Sequence, residues 1–267
     1  MTAATFSPHF GRHVSYLVIP LVAFLAGMTN AIAGGGTFFT FPALTAPRLG
    51  GLSDLAANVT STIGIWPGSA ASVWAAKKEL KRLPIRMAVA FSIISIVGAA
   101  TGAVLLLVTP ERAFSLLVPW LLLFATVIFG FSKPIARWAG RQHGHRTLGW
   151  TLFVGAVQLL VAIYGGYFGA GIGILMLAGL SFAGLDDIHQ MNAMKVLLQT
   201  SINGVAAVIF LFSPHLNWSY ALPMAAMSAV GGFLGIAVAR KMPQNTLRAV
   251  ILVIGVIVTG LYFVKNY

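Results

Sequence analysis

The chain has 267 residues, of which 58% are hydrophobic and only 8% charged, and its mean hydropathy is +0.89. No ordinary water-soluble domain of this length is so apolar, so a lipid bilayer is the expected solvent. The formal charge of +12 comes from lysines and arginines in short clusters between apolar stretches, a topology signal rather than a nucleic-acid surface, and the lack of any cysteine excludes disulfides, thiol catalysis and cysteine-based metal sites.

In chain order, apolar runs bounded by charge, Pro and Gly predict ten helical segments, near 15–33, 35–47, 54–76, 85–108, 112–131, 148–165, 167–182, 187–212, 218–239 and 245–264. A bilayer core leaves no stray backbone group satisfied, so these are helices or half-helices packed in protein. The first runs into glycines without a small-x-small cleavage site and reads as mature structure rather than a signal peptide. The second and seventh, at about 13 to 16 residues, fall short of the ~20 a spanning helix needs, so half-helices and full crossings both stay open for them.

Shifting the sequence by 133 residues superimposes one half on the other. Gly51-Leu52-Ser53-Asp54-Leu55 falls on Gly184-Leu185-Asp186-Asp187-Ile188, Gly98 and Gly102 fall on Gly231 and Gly235, and Pro110 falls on Pro243. The expected fold is therefore an all-α membrane protein, a single transmembrane domain over 1–267, with repeat one at about 15–131, a basic linker at about 132–147 and repeat two at about 148–264. Five segments per half is an odd number, so the two copies should be inverted, with glycine-broken half-helices near mid-membrane. Lys133, Arg137, Arg141 and Arg146 in the linker, Lys77, Lys78, Lys81, Arg82 and Arg86 in one loop, and Arg240, Lys241 and Arg248 in another fall on one side with ten segments. The positive-inside rule makes that side cytoplasmic and puts both termini and the Ser213-Pro214-His215 loop outside an inner (plasma) membrane.

Two motifs carry the chemistry. Ala33-Gly34-Gly35-Gly36-Thr37-Phe38-Phe39-Thr40-Phe41-Pro42 has a counterpart in Gly165-Gly166-Tyr167-Phe168-Gly169-Ala170-Gly171-Ile172-Gly173. Consecutive glycines break a helix, and a half-helix starting there aims unpaired N–H groups and its positive dipole end at whatever lies ahead, which suits an anion. Close helix packing is the plainer use of such glycines. The second motif lies on the helix after each Gly-Leu loop, where Asn192, Lys195, Gln199 and Asn203 share one face. A helix starting near Asp187 would put Lys195 roughly 12 Å from its end, and an ammonium there is costly unless paired or lining an aqueous cavity. None of the chain's acidic residues (Asp54, Glu79, Glu111, Asp186, Asp187) lies near a segment's middle, so a substrate anion could complete the pair. Snorkelling to the interface, or a pair with Asp186 or Asp187, is the plainer role. Asn58, Thr60, Ser61 and Thr62 stand on the corresponding helix of the first half, ahead of Trp66 and Pro67. Their amide and hydroxyls could ligate oxyanion oxygens, although such hydroxyls often bond back to their own helix.

His143 and His145 lie in the linker, His189 at a helix start lacks metal-ligand spacing, and Trp120, Trp138, Trp150, Trp218 and Tyr267 sit near segment ends, as in aromatic belts. No P-loop, nucleotide fingerprint, HExxH or Ser-His-Asp set is present, so the chain reads as neither an enzyme nor an ATP-driven pump, with no metal and no cofactor.

Ala33-Gly34-Gly35-Gly36 with Pro42-Ala43-Leu44, Gly51-Leu52 and Ala57-Asn58-Val59-Thr60-Ser61, then Gly165-Gly166 to Gly173, Gly184-Leu185 and Asn192-Ala193-Met194-Lys195, resemble the TauE/SafE family of sulfite exporters over about 15–264. The second glycine run lacks the proline that follows the first. The resemblance implies export or passage of a small sulfur-containing anion such as sulfite or an organosulfonate, with some relatives assigned to other small anions, and secondary transport, as an exporter, is the leading expectation. The family's motifs carry over onto Gly34 to Thr37, Asn58 to Thr62, Gly169 to Gly173 and Asn192 to Lys195, and with Gln199 from the shared helix face the expected substrate site is Gly34, Gly35, Gly36, Thr37, Asn58, Ser61, Thr62, Gly169, Gly171, Asn192, Lys195 and Gln199. Passive anion conduction and a non-transport membrane scaffold are the rival functions. The expected partners are the bilayer and a small anion but no nucleic acid, with a homodimer left open.

Overall fold

The computed structural model describes residues 8–32, 34–140, 147–183, 185, 188–239 and 244–267. Ala33, Arg141, His143, His145, Arg146, Gly184, Asp186, Asp187, Arg240, Lys241 and Pro243 lie outside the described residues, as do the side chains of Lys133, Arg137, Trp138 and Arg248. The described residues form α1 (Pro8–Ile32), α2 (Thr37–Thr45), α3 (Asp54–Ala75), α4 (Lys77–Leu80), α5 (Ile85–Val108), α6 (Glu111–Gly140), α7 (Leu148–Tyr167), α8 (Ile172–Phe182), α9 (Ile188–Phe210), α10 (Trp218–Ala239) and α11 (Gln244–Asn266). Among them six helices are long and apolar enough to cross a bilayer. The protein is a multi-pass, all-α membrane protein.

The ten expected segments are all present, with α4 as an extra turn in the basic loop. The short elements are shorter than expected: α2 has 9 residues and α8 has 11. Backbone conformation sets both starts. Gly34 at φ +75° ends the path of α1, Gly169 at φ +75° and Gly171 at φ +69° end that of α7, and each short helix begins just beyond. Gly165 and Gly166, expected to help break the helix, stay inside α7, where a Cβ on Gly166 would stand 2.2 Å from the Ala99 carbonyl oxygen. They serve close packing instead.

Small residues set how the long helices meet. On α5, a Cβ at Gly102 would lie 2.0 Å from the Ile163 oxygen of α7; on α10, one at Gly231 would lie 2.0 Å from the Phe24 oxygen of α1. A Cβ at Gly232 would meet the Gly68 oxygen of α3 at 2.0 Å. With apolar chains facing outward, as at Leu17, Ile85, Leu152 and Leu261, the buried polar residues concentrate on the two inner helices: Asn58, Thr60, Ser61, Ser69 and Ser72 on α3, and Lys195, Gln199 and Asn203 on α9. That inside-out distribution is what a hydrocarbon solvent imposes, and it assembles a polar interior around the α3–α9 crossing, where Trp66 Nε1 donates to the Thr200 oxygen at 3.3 Å.

Candidate functional site

The two glycine turns touch. A Cβ on Gly34 would stand 2.3 Å from Gly173 Cα and 2.6 Å from its nitrogen, and one on Gly171 would meet the Phe38 ring at 3.3 Å. The turn before α2 therefore packs on the first residues of α8, backbone against backbone. Some N–H groups at this junction are spent locally. Gly34 donates to the Thr29 and Asn30 oxygens at 2.9 and 3.2 Å, Gly36 to Asn30 Oδ1 at 2.7 Å, and Gly169 to the Tyr164 oxygen at 3.1 Å. Those of Gly35 and Thr37 at the first turn, and of Ala170, Gly171 and Gly173 at the second, meet no acceptor among the described residues. Each short helix thus keeps bare donors at its positive end.

Lys195 lies beside the first turn, fully buried at 0% exposure. Its ammonium donates to the Ala31 and Ile32 oxygens, both at 3.1 Å, and to the Asn30 oxygen at 3.5 Å. The Ala31 and Ile32 oxygens are last-turn carbonyls of α1 that take no backbone N–H among the described residues, the Asn30 oxygen also accepts the Gly34 N–H, and the negative end of a helix dipole suits a cation. The lysine's burial excludes snorkelling, and among the described residues, which do not include Asp186 or Asp187, its partners are backbone oxygens. Gln199, one turn on, is 2% exposed, with its Oε1 3.3 Å from where a Gly34 Cβ would stand.

The remaining candidates are placed less directly. Asn58, 1% exposed, donates through Nδ2 to the oxygen of Tyr167, the last residue of α7, at 3.0 Å. That bond fixes its carboxamide and leaves Oδ1 as the unpartnered atom, an acceptor rather than an anion ligand. Ser61 bonds Thr40 at 2.6 Å, tying α3 to α2, and Thr62 turns back onto the Asn58 oxygen at 2.9 Å. Asn192 is half-buried one turn before Lys195. The structure therefore gathers Gly34, Gly35, Gly36, Thr37, Lys195 and Gln199 at one junction, with Gly169 and Gly171 across from them, while Asn58 caps the end of α7 and the Ser61 and Thr62 hydroxyls are engaged within the bundle. Asn30 was not among the expected residues, although its side chain holds the first turn. Asparagine in the last turn of an apolar helix was its only sequence mark.

Chemically, the junction is a cluster of donors with one cation beside it. Among the described residues no three His, Asp or Glu side chains come together as a metal site. Asp54 is 4% exposed and pairs with Lys265 at 3.4 Å, at the far ends of α3 and α11.

Comparison with known proteins points to a membrane transporter. The family model described as sulfite exporter TauE/SafE matches residues 19–263. A probable membrane transporter protein, ORF9, of a Sinorhizobium species is 28% identical over 83% of this chain and 80% of its own length. A probable membrane transporter protein of Haemophilus influenzae is 26% identical, covering 90% and 91%, and the probable membrane transporter protein YfcA of Escherichia coli is 24% identical, covering 91% and 87%. No solved structure matches the chain.

Proposed function

We propose, because this chain belongs to the sulfite exporter TauE/SafE family of membrane transporters, that it exports a small sulfur-containing anion such as sulfite or an organosulfonate by alternating access between two inverted repeats. The observation carrying the substrate class is the meeting of two glycine turns, each with bare N–H donors, beside a buried ammonium that has no carboxylate partner among the described residues. Fixed donors in a low-dielectric interior favour an anion strongly and leave a neutral solute with little to gain.

Paired details support the repeats. Gly98 and Gly102 of α5 pack on α7 as Gly231 and Gly235 of α10 pack on α1, and Thr126 bonds Thr259, its counterpart 133 residues on, at 3.4 Å. A substrate at the interface of such repeats is exposed to alternate sides when one moves against the other. Purified protein in liposomes should take up sulfite or sulfoacetate and, with an imposed pH gradient, accumulate it above the external concentration. Uptake that only equilibrates would identify a passive facilitator, and no flux of any sulfur anion would reject the substrate class.

The basic loops support an orientation in an inner membrane with α4's loop cytoplasmic and the α9–α10 loop outside. A chain without native cysteine makes this direct to check. In intact cells an impermeant maleimide should label His215→Cys and spare Lys78→Cys; the reverse pattern would invert the topology.

A further inference from the structure

Asn30 is 3% exposed, and its carboxamide lies at the start of α2 because Oδ1 accepts the Gly36 N–H at 2.7 Å. A backbone N–H can only donate, so this bond fixes which end of the carboxamide is oxygen. The Nδ2 group is consequently a donor, buried at the same helix end with no hydrogen-bond partner among the described residues. A buried donor left bare is costly, and native interiors rarely tolerate one without a use. Holding the Gly36 N–H needs only an oxygen, so the turn's geometry does not explain the amide half of this side chain.

Its surroundings do. The Gly35 and Thr37 N–H groups, on either side of the Gly36 N–H that the carboxamide holds, meet no acceptor among the described residues, and the main-chain oxygen of Asn30 receives Lys195 Nζ at 3.5 Å. Side-chain amide, two backbone amides and the field of the ammonium thus lie together at the N-terminus of α2. Three directed donors suit an oxyanion that presents several oxygens to one side, such as the sulfite or sulfonate group, better than a spherical halide. We infer that Asn30 is a substrate-binding and specificity-determining residue, donating Nδ2–H to an oxyanion oxygen held at the start of α2. This rests on the small-anion reading above and adds to it a residue and a binding geometry.

Asn30→Asp is the discriminating variant, since it keeps an oxygen for the Gly36 N–H and exchanges the donor for an acceptor. In detergent-solubilised protein titrated with sulfite and with sulfoacetate, the folded variant should bind roughly 10- to 100-fold more weakly than wild type, the factor for a lost hydrogen bond to a charged group. Chloride, tested in parallel, should bind neither protein appreciably. Unchanged affinity in a folded Asn30→Asp protein would overturn the assignment while leaving the transporter reading intact. If wild type binds neither probe, the small-anion reading fails and this inference with it. Should the variant not purify as a monodisperse species, hydrogen exchange of the wild-type protein decides: sulfoacetate must slow exchange in the 34–40 segment, and unaltered exchange there would overturn the inference.

Discussion

Lys195→Met is expected to reduce anion flux in liposomes by more than 100-fold while costing only about 1–3 kcal/mol of stability. The asymmetry follows from what the ammonium does. Methionine fills much the same space and removes the cost of burying a charge, so the fold loses mainly three donations to the end of α1, from a side chain at 0% exposure. Transport loses the buried cation beside the glycine junction, which in a low-dielectric site dominates affinity for an anion. Lys195→Arg should not restore flux, because a planar guanidinium cannot reproduce a point charge converging on three carbonyls. Flux within threefold of wild type in a folded Lys195→Met protein would remove the ammonium from the site.

Gly34→Ala is expected to abolish transport through the fold itself, costing more than about 3 kcal/mol or preventing assembly. Backbone strain and steric overlap act together here. At φ +75° a residue with a Cβ is disfavoured by about 1 kcal/mol relative to glycine. Overlap costs more: the new atom would stand 2.3 Å from Gly173 Cα, and backbone has no rotamer with which to move away. Gly51→Ala isolates the strain, since its φ is +62° but the nearest atom, the Pro47 oxygen, is 3.8 Å from the new Cβ; about 1 kcal/mol is expected. Gly149→Ala and Gly260→Ala, with nothing within 4 Å, should stay within about 0.5 kcal/mol of wild type. Monodispersity and thermal unfolding in detergent provide the comparison, and a Gly34→Ala protein as stable as Gly149→Ala would mean that the turns do not meet as described.

The long helices were legible because length and apolarity in lipid leave few alternatives, and the existence of the two short ones followed from the glycine runs. Their bounds did not follow. Glycine has two uses, small size and left-handed backbone, and the letters do not say which is in play: Gly165 and Gly166 use the first and remain helical, whereas Gly169 and Gly171 use the second and end α7. At the site, Lys195 stood out in the sequence because a charge in an apolar helix needs a partner. What it bonds was hidden, since helix-end carbonyls belong to every residue type and leave no sequence mark. The same holds for Asn58 and Asn30, whose carboxamide orientations are set by which backbone group lies opposite, information that arises only from the packing.

The two inner helices hold the outer ones crosswise: α9 seats Lys195 on the end of α1, and α3 seats Asn58 on the end of α7. During biosynthesis, Ile32 and Lys195 emerge from the ribosome 163 residues apart. The first helix must therefore wait in the bilayer, its terminal carbonyls without their lysine, until nearly three-quarters of the chain has been made. A chain terminated before α9 would present quality-control proteases with a permanently unfinished helix end.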